Sequence, residues 1–372
     1  WSIRATLPYS RGLAAADAGR WREAAALFDA ATQRDPGLAT YDLQAGYAYG
    51  RLAADGEADP LAVAIAHYRR GIERSPNYAL SAAHLGALYR QADRPDEALA
   101  WTERAVDLAP RSALFTLNLG RLYEEVEKDE SARLHYRKTL DHAPEWAGAA
   151  FWRRTPLREA LARDWRAAHP APDPVENPQS AGEWAGVGRH ALGEGRPVEA
   201  LDAFDHAISQ DPHDVAAHVG QARAYVALGR PAEAEQALHT ALMGGTSLEL
   251  DHARALATLA QIHHQKARGQ EAASTLEAAI ANARRALAQE PPVLGWSCYP
   301  NFLFYRESPE DHLLPQLAVI TVTDEVAEWM LDLGTWYEEV GERAPAIRVY
   351  RQLLEAVPDS EAARRRLEEL GD

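Results

Sequence analysis

The residue types that most often hold metal ions are scattered along this chain. It contains 14 histidines among 372 residues. His263 and His264 are adjacent, and successive positions on a helix point about 100° apart, so these two side chains cannot bind one metal ion together. Two further pairs lack the i, i+4 spacing of helical zinc ligands; they are His213/His218 and His135/His142. The histidines therefore predict structural or surface roles and no metal site.

A catalytic nucleophile has equally little support. The stretch Gly295-Trp296-Ser297-Cys298 is superficially similar to the sharp turn that presents a nucleophilic serine, but the second glycine and the strand–turn–helix context are missing. No glycine-rich phosphate loop occurs, and no carboxylate stands out from a solvated helix face. We therefore expect no enzyme activity and no cofactor. Cys298 is the only cysteine, so no internal disulfide can form and cysteine says nothing about compartment.

The composition argues against two classes of partner. The net charge is −16 and no basic stripe is present, so we expect no binding to nucleic acid. No apolar run reaches the roughly 18 residues of a membrane helix, so we expect no membrane span within this chain. Because the sequence starts at Trp1 without a methionine or a signal-peptide pattern, we expect it to be a fragment or a processed product of a longer protein.

The elements that position these residues follow a 34-residue period. The prolines that mark it are Pro76, Pro110, Pro144, Pro178 and Pro212. Glycines recur with the same period, at Gly12, Gly46, Gly86, Gly120 and Gly188. Alanines do so as well, at Ala24, Ala64, Ala98, Ala132, Ala200 and Ala234. Self-similarity at this period predicts an array of helix–turn–helix units, a solenoid rather than a compact globule.

Each unit reads as a hairpin of two helices. In residues 79–112, Gly86 lies in the first predicted helix and Ala98 in the second, and these small residues let the two helices approach closely. Apolar residues at helical spacing give each helix one buried stripe, and the proline ends the hairpin. We expect a large-residue position of the second helix to fill the space towards the next hairpin; it holds Phe28, Tyr68, Tyr136, Phe204 and Tyr350.

This pattern resembles the tetratricopeptide repeat (TPR) family, because several positions recur together. One copy carries Leu119, Gly120, Tyr123, Ala132, Tyr136 and Pro144, and another carries Trp184, Gly188, Ala200, Phe204, Ala207 and Pro212. The resemblance implies an all-α solenoid of stacked helical hairpins. We count eight units, at about 5–38, 39–78, 79–112, 113–146, 181–214, 215–248, 253–286 and 327–360.

Breaks in the period divide the chain. We expect a first block of four repeats at 1–146, a degenerate capping helix and proline-rich linker at 147–180, a second block of three repeats at 181–290, an aromatic insert at 291–325, and the last repeat with a capping helix at 326–372. Pro291-Pro292 should stop a long helix at about 268–289. Phe302–Arg306 and Leu317–Thr323 are rich in aromatic and β-branched residues, so we expect a short, partly β insert with at least one strand pair.

Two surfaces are candidates for binding a protein or peptide. In TPR proteins, certain positions of the first helices face a concave groove; carried over to this sequence they are Tyr9, Leu43, Tyr47, Arg90, Leu117, Arg121, Glu124, Arg189 and Arg223. Arginines beside an aromatic ring suit a peptide or a glycan-bearing partner, although the same positions could simply form a solvated polar face.

The aromatic insert offers the second surface, with Trp296, Tyr299, Phe302, Phe304 and Tyr305. If these residues are exposed they mark an interface, whose strands could add to another subunit's edge. The alternative is that the insert folds back, either to plug the groove or to cover an end of the solenoid.

A narrower resemblance is to the C-terminal TPR region of bacterial O-antigen ligase or polymerase-like membrane proteins. The similar pieces are residues 10–13, 152–158 and 313–324. In that family a polytopic membrane portion precedes the repeats and handles lipid-linked glycan, which implies a location in the bacterial cell envelope or outside the cell; the cytoplasm stays open. These observations leave two hypotheses for the function. One is a non-catalytic interaction scaffold, and the other is a subunit of a filament built by head-to-tail self-association.

Overall fold

The structure, a computed structural model, describes residues 3–54, 58–170, 175, 177–244, 250–288 and 313–371. The described residues form 18 α-helices. They are α1 (Ile3–Asp17), α2 (Trp21–Arg34), α3 (Ala39–Ala54), α4 (Ala58–Arg74), α5 (Ala79–Gln91), α6 (Pro95–Leu108), α7 (Ala113–Glu125), α8 (Asp129–His142), α9 (Pro156–Ala168), α10 (Ala181–Gly193), α11 (Pro197–Gln210), α12 (Val215–Ala227), α13 (Pro231–Gly244), α14 (Leu250–Gln265), α15 (Gly269–Ala288), α16 (Asp324–Glu339), α17 (Arg343–Ala356) and α18 (Glu361–Glu369). Across these described ranges, no helix is both long and apolar enough to cross a membrane.

The helices pair into the eight hairpins that the 34-residue period predicts. The pairs are α1/α2, α3/α4, α5/α6, α7/α8, α10/α11, α12/α13, α14/α15 and α16/α17. Within each run of hairpins, the second helix of one packs on the first helix of the next. The all-α solenoid prediction is therefore confirmed.

Close approach of the two helices explains the glycine ladder. A Cβ atom on Gly120 would lie 2.6 Å from the ring of Tyr136, and one on Gly188 would lie 2.8 Å from the ring of Phe204. The large residue of the second helix thus packs directly onto the glycine of the first. It also reaches the next hairpin as predicted, since the Tyr68 hydroxyl lies 2.8 Å from Nδ1 of His84 on α5.

The chain forms two compact units. The first contains residues 3–144, 155–165 and 313–319, with a core that runs from Phe28 to Leu122. The second contains residues 145–154, 166–288 and 320–371. In the second unit the indole N–H of Trp146 donates to the carbonyl of Leu287 at 3.1 Å, so this buried ring ties the turn after α8 to the end of α15.

The strand predicted at Leu317–Thr323 is wrong. In this stretch the structure has irregular backbone and a single antiparallel bridge between Thr323 and Ala149. Of its β-branched residues, Ile320 and Val322 are buried although they belong to no strand. The other predicted strand, Phe302–Arg306, lies outside the described residues. The long helix expected at about 268–289 is confirmed as α15.

Candidate functional site

A short piece of the chain lies in the groove formed by three first helices. We call residues 313–319 the groove segment, and the surface of α3, α5 and α7 that it contacts the block-one groove. Leu314 of the segment is buried in the core of the first unit. A Cβ atom on Gly50 of α3 would lie 2.8 Å from Cδ2 of Leu314, so the bare glycine makes room for this leucine.

The groove segment turns sharply after Leu314. The Leu317 amide donates to the carbonyl of Leu314 at 3.0 Å, which closes a four-residue turn. Pro315 occupies the second position of the turn, where its fixed φ is favourable. The third residue, Gln316, is buried, and its Nε2 donates to the carbonyl of Gly50 at 3.0 Å and to Oε1 of Gln91 at 2.7 Å.

Side chains of α5 and α7 form hydrogen bonds with the main chain of the groove segment. The amide of Asn118 forms two bonds with Ala318, accepting from its N–H at 2.8 Å and donating to its carbonyl at 2.9 Å. Arg90 and Arg121 both donate to the carbonyl of Gln316, at 3.2 and 3.3 Å. Such contacts recognise a peptide backbone whatever its side chains are.

Longer contacts fix the start of the segment. The Leu314 amide donates to Nε2 of His84 at 3.4 Å, and the Tyr47 hydroxyl donates to the carbonyl of Leu313 at 3.4 Å. Because Nε2 of His84 accepts, its proton sits on Nδ1, which faces the Tyr68 hydroxyl. The histidine is thereby held in one tautomer by the hairpin before it.

The arginines of the groove are partly desolvated. Burial, together with the neighbouring charge of Arg90, lowers the pKa of Arg121 to about 10, although Glu125 opposes both effects. Arg121 therefore stays protonated at neutral pH. Glu125 lies 3.3 Å from Arg90 and 3.5 Å from Arg121, so one carboxylate balances both guanidinium groups.

Glu124, another predicted groove residue, binds the capping helix α9. Its carboxylate accepts from the Tyr136 hydroxyl at 2.6 Å, from Thr155 at 2.6 Å and from Nε of Arg158 at 2.7 Å. Burial alone would raise the pKa of Glu124, but these three donors outweigh it and hold the pKa below its ordinary value. In the last repeat, Glu338 is bonded in the same way by Tyr350 at 2.6 Å and by Arg366 of α18 at 3.1 Å.

The structure places the other predicted partner-binding residues as follows. Tyr47, Arg90 and Arg121 meet on the groove segment. The side chains of Tyr9, Leu43 and Leu117 are buried in the first unit, and those of Arg189 and Arg223 are exposed on α10 and α12. The five aromatic residues of the insert, Trp296 to Tyr305, lie outside the described residues. A partner-binding role for all of these residues stays a prediction.

The sequence did not predict the roles of three groove residues, His84, Gln91 and Asn118, or of Gln316 in the groove segment. One signal was available for Asn118. It stands within ALFTLNLG, where the neighbours are apolar, and a buried amide in such a helix must find a partner. Nothing in the sequence indicated that a residue 200 positions later would supply it.

A second surface lies on the first helices of the second unit. Arg189, Arg223 and Gln261 occupy the same position in three successive repeats, and all three are exposed. Within the part of the chain that the structure describes, neither arginine makes a hydrogen bond or an ion pair. The surface therefore presents a row of unengaged donors.

Comparison with known proteins supports the repeat assignment. Tetratricopeptide repeat models match residues 56–113 and 219–291, residues 191–245, and residues 330–363. Together these matches cover just over half of the chain. No curated protein matches it.

Three solved structures illustrate the similarity. A tetratricopeptide repeat protein from Parabacteroides merdae is 15% identical over 75% of this chain and 93% of its own, with a TM-score of 0.35. PilW, a type IV pilus biogenesis factor, is 16% identical over 78% of this chain and 98% of its own, with a TM-score of 0.35. YrrB, described as a TPR protein with an unusual peptide-binding site, is 16% identical over 58% and 91%, with a TM-score of 0.26. With eight helical hairpins and these matched repeats, the chain is a tetratricopeptide repeat protein.

Proposed function

We propose that this chain is a non-catalytic scaffold that binds segments of other proteins on the first helices of its repeats. TPR proteins generally mediate protein–protein interaction, and a solenoid offers an extended surface for it. The observation that carries the proposal is the pairing of Asn118 with both backbone groups of Ala318, at 2.8 and 2.9 Å. A first helix of this chain thus holds a non-helical peptide segment by its main chain.

The chemistry of the block-one groove is that of a peptide site. Backbone bonds supply attraction, and pockets such as the one beside Gly50 supply discrimination between side chains. A histidine, two arginines and two amides all contribute to the same short segment. Nothing in this set of groups suggests catalysis, because they form hydrogen bonds with unreactive amide groups and do not surround a reactive centre.

The exposed donors of the second unit support the same function. Arg189 and Arg223 repeat with the period of the solenoid and would meet carboxylates spaced along an extended partner. Arginine binds carboxylates in a bidentate way, which favours it at such sites. We therefore propose an acidic, extended protein segment as the partner of this surface.

Selection from a displayed library of random peptides tests this function. Enriched peptides should bind the intact protein and lose at least about tenfold affinity with Arg223→Glu, which corresponds to about 1.4 kcal/mol. The matched control is Arg348→Glu, the same charge change on an exposed position of the second helix α17, which should change affinity less than about twofold. No enrichment, or an equal loss with both variants, would contradict the proposal.

We further propose that the scaffold is the soluble part of a cell-envelope glycan-assembly protein. Its support is the narrower sequence resemblance, whose pieces include Thr155 and Arg158 of the Glu124 network and the groove segment itself. The full-length product should then fractionate with membranes, and removal of the repeats should alter the surface glycan seen on gels. A soluble full-length product and an unchanged glycan profile would refute this placement.

The alternative of a self-assembling filament has less support. Helix α18 packs on the last hairpin and exposes charged residues, among them Arg364, Arg365 and Glu368, which disfavours stacking of a further repeat there. Size-exclusion chromatography with light scattering decides between the two. A monomer at micromolar concentration argues for the scaffold, and concentration-dependent growth argues for the filament.

A further inference from the structure

We propose that the block-one groove is a site for a partner segment with the turn sequence Leu-Pro-Gln-Leu, and that residues 313–319 occupy it as an internal copy of that ligand. This inference rests on the proposed function and names the ligand class and the regulation of the same site. Its starting point is geometric. The occupant is contributed from 195 to 266 positions away in the chain and lies across three successive hairpins, as a bound peptide would.

The groove is organised without the segment. Asn118 also donates to the carbonyl of Leu114 in its own helix, and Gln91 donates to the carbonyl of Ala53 at 2.7 Å. His84 is oriented by Tyr68. Because each of these three side chains already has a partner in the repeats, the site keeps its shape when the segment leaves.

The core of the repeats depends little on the segment. In the buried cluster that joins the second, third and fourth hairpins, Leu314 is the one described residue that the segment contributes. The hairpins pack on one another through their own side chains, such as Leu85 and Leu88. Release of the segment therefore opens the groove without unfolding the repeats.

The fit of the internal copy is incomplete. Nε of Arg90 and Oε1 of Gln316 are buried, and neither has a hydrogen-bond partner among the described residues. A buried polar atom without a partner weakens the complex that contains it. The two unpaired atoms thus weaken the hold on the internal segment, which favours its release from the groove.

The side chains of the turn set the specificity. Leu314 fills the space left by Gly50, and Gln316 donates to Gly50 and Gln91 in the interior of the groove. Pro315 is exposed and acts by favouring the turn. Main-chain bonds to Arg90, Arg121 and Asn118 add attraction that does not depend on sequence.

A fluorescent peptide with the sequence of residues 311–323 tests the proposal by anisotropy. We compare the wild-type protein with the double variant Pro315→Gly/Gln316→Ala, whose internal copy is weakened. The peptide should bind the double variant at least about tenfold more tightly than the wild type, because the competing internal ligand is gone. A peptide that itself carries Leu314→Ser and Gln316→Ala should not bind, and adding Asn118→Ala to the double variant should abolish binding.

Other outcomes overturn the proposal. Equal binding to wild type and double variant would show that the internal segment does not compete. No binding to a double variant with wild-type helix content by circular dichroism would show that the groove takes no free ligand. If the double variant loses helix content, the single variant Pro315→Gly, which changes an exposed side chain, replaces it with an expected gain of about threefold.

Two further results distinguish this inference from exchange of the segment between two copies of the chain and from the proposed function. Dimerisation of the wild type through exchange of the segment, seen by light scattering, would make the occupant a second copy and refute the partner. Failure of the 311–323 peptide, combined with displayed peptides that bind through Arg223, would remove this inference and leave the proposed function standing.

Discussion

Polar side chains within apolar stretches of the first helices supply the hydrogen bonds of the block-one groove. Asn118, His84 and Gln91 lie on first helices whose other inward residues are mostly alanine and leucine. Each is engaged with a backbone group or a side chain of the groove segment. Their bonds let a repeat core hold a peptide that has no regular secondary structure.

The Glu124 network predicts a large effect for a small change. Glu124→Gln keeps the shape of the side chain but removes the charge that faces Arg158 at 2.6 Å. Breaking a buried pair leaves an uncompensated charge, so we expect a loss of roughly 3 kcal/mol in the free energy of unfolding. Chemical denaturation measures it. The adjacent change Glu125→Gln, at a half-exposed carboxylate, should cost less than about 1 kcal/mol, and an equal loss in both variants would contradict this account.

The role of Glu124 could have been found in the sequence. Glutamate at this repeat position and tyrosine twelve residues later occur together in two units only, as Glu124/Tyr136 and Glu338/Tyr350. These two units are the ones that a capping helix follows. The family position alone predicted Glu124 as a groove residue, and that partner-binding role stays a prediction.

A buried ionic cluster predicts a dependence of stability on pH. His67 lies between two carboxylates, 2.8 Å from Asp42 and 2.9 Å from Asp29, and Arg70 and Arg74 also bond to Asp42. Burial and Arg70 would lower the pKa of His67, but the two carboxylates raise it above its ordinary value. A raised pKa in the folded state means that His67 stabilises the fold below its unfolded pKa, and that this contribution is lost as pH rises through the folded value.

The variant His67→Gln tests the direction in which the stabilisation by His67 changes with pH. At pH 5.5, where Asp29 and Asp42 are ionised because their pKa values are lowered, the loss in unfolding free energy should be about 1.5–3 kcal/mol. The loss should shrink as pH rises past the folded pKa of His67. His263→Gln is the matched control: burial lowers the pKa of His263, so the loss there should shrink as pH falls. The same trend in both variants would rule out this explanation.

At the scale of elements, the contact between the glycine of the first helix and the large residue of the second sets the hairpin geometry. Gly120→Ala places a methyl group 2.6 Å from the ring of Tyr136. Overpacking costs about 1–3 kcal/mol, and the better helix propensity of alanine returns about 1 kcal/mol. We expect a net loss of about 1 kcal/mol in thermal or chemical unfolding.

Gly182→Ala is the control for helix propensity. Apart from its own stretch of helix, no described residue has an atom within 4 Å of the added Cβ, so this substitution in α10 should be neutral or stabilise by up to about 1 kcal/mol. A stabilising Gly120→Ala would mean that the hairpins do not depend on this close contact.

The helices were predictable from the sequence and the described part of the insert, from residue 313 to residue 323, was not, for one physical reason. Each repeat is stabilised by contacts within its hairpin and with the next hairpin. The residues that make these contacts therefore recur every 34 residues, and the sequence shows them directly. The stretch 317–323 was predicted as a strand because it is rich in β-branched residues. The backbone groups of Ala318 bond instead to Asn118, and a side chain 200 positions away leaves no local pattern.

At the scale of the whole molecule, the two compact units carry different forms of the same surface. In the first, the first helices α3, α5 and α7 hold a segment of the chain itself. In the second, Arg189 and Arg223 present donors that no described residue engages. On the function proposed above, the protein would combine one occupied site with one exposed site.

The exchange rate of the Ala318 amide hydrogen tests the central claim, that the first helices hold this segment as a ligand. Its N–H donates to Asn118, so in the wild type exchange should be at least about a hundredfold slower than in an unstructured peptide, at 1.4 kcal/mol per tenfold. In Asn118→Ala this protection should disappear, while Gln261→Ala, an exposed amide on α14, should leave it unchanged. Exchange of Ala318 at the unstructured rate in the wild type would contradict the account.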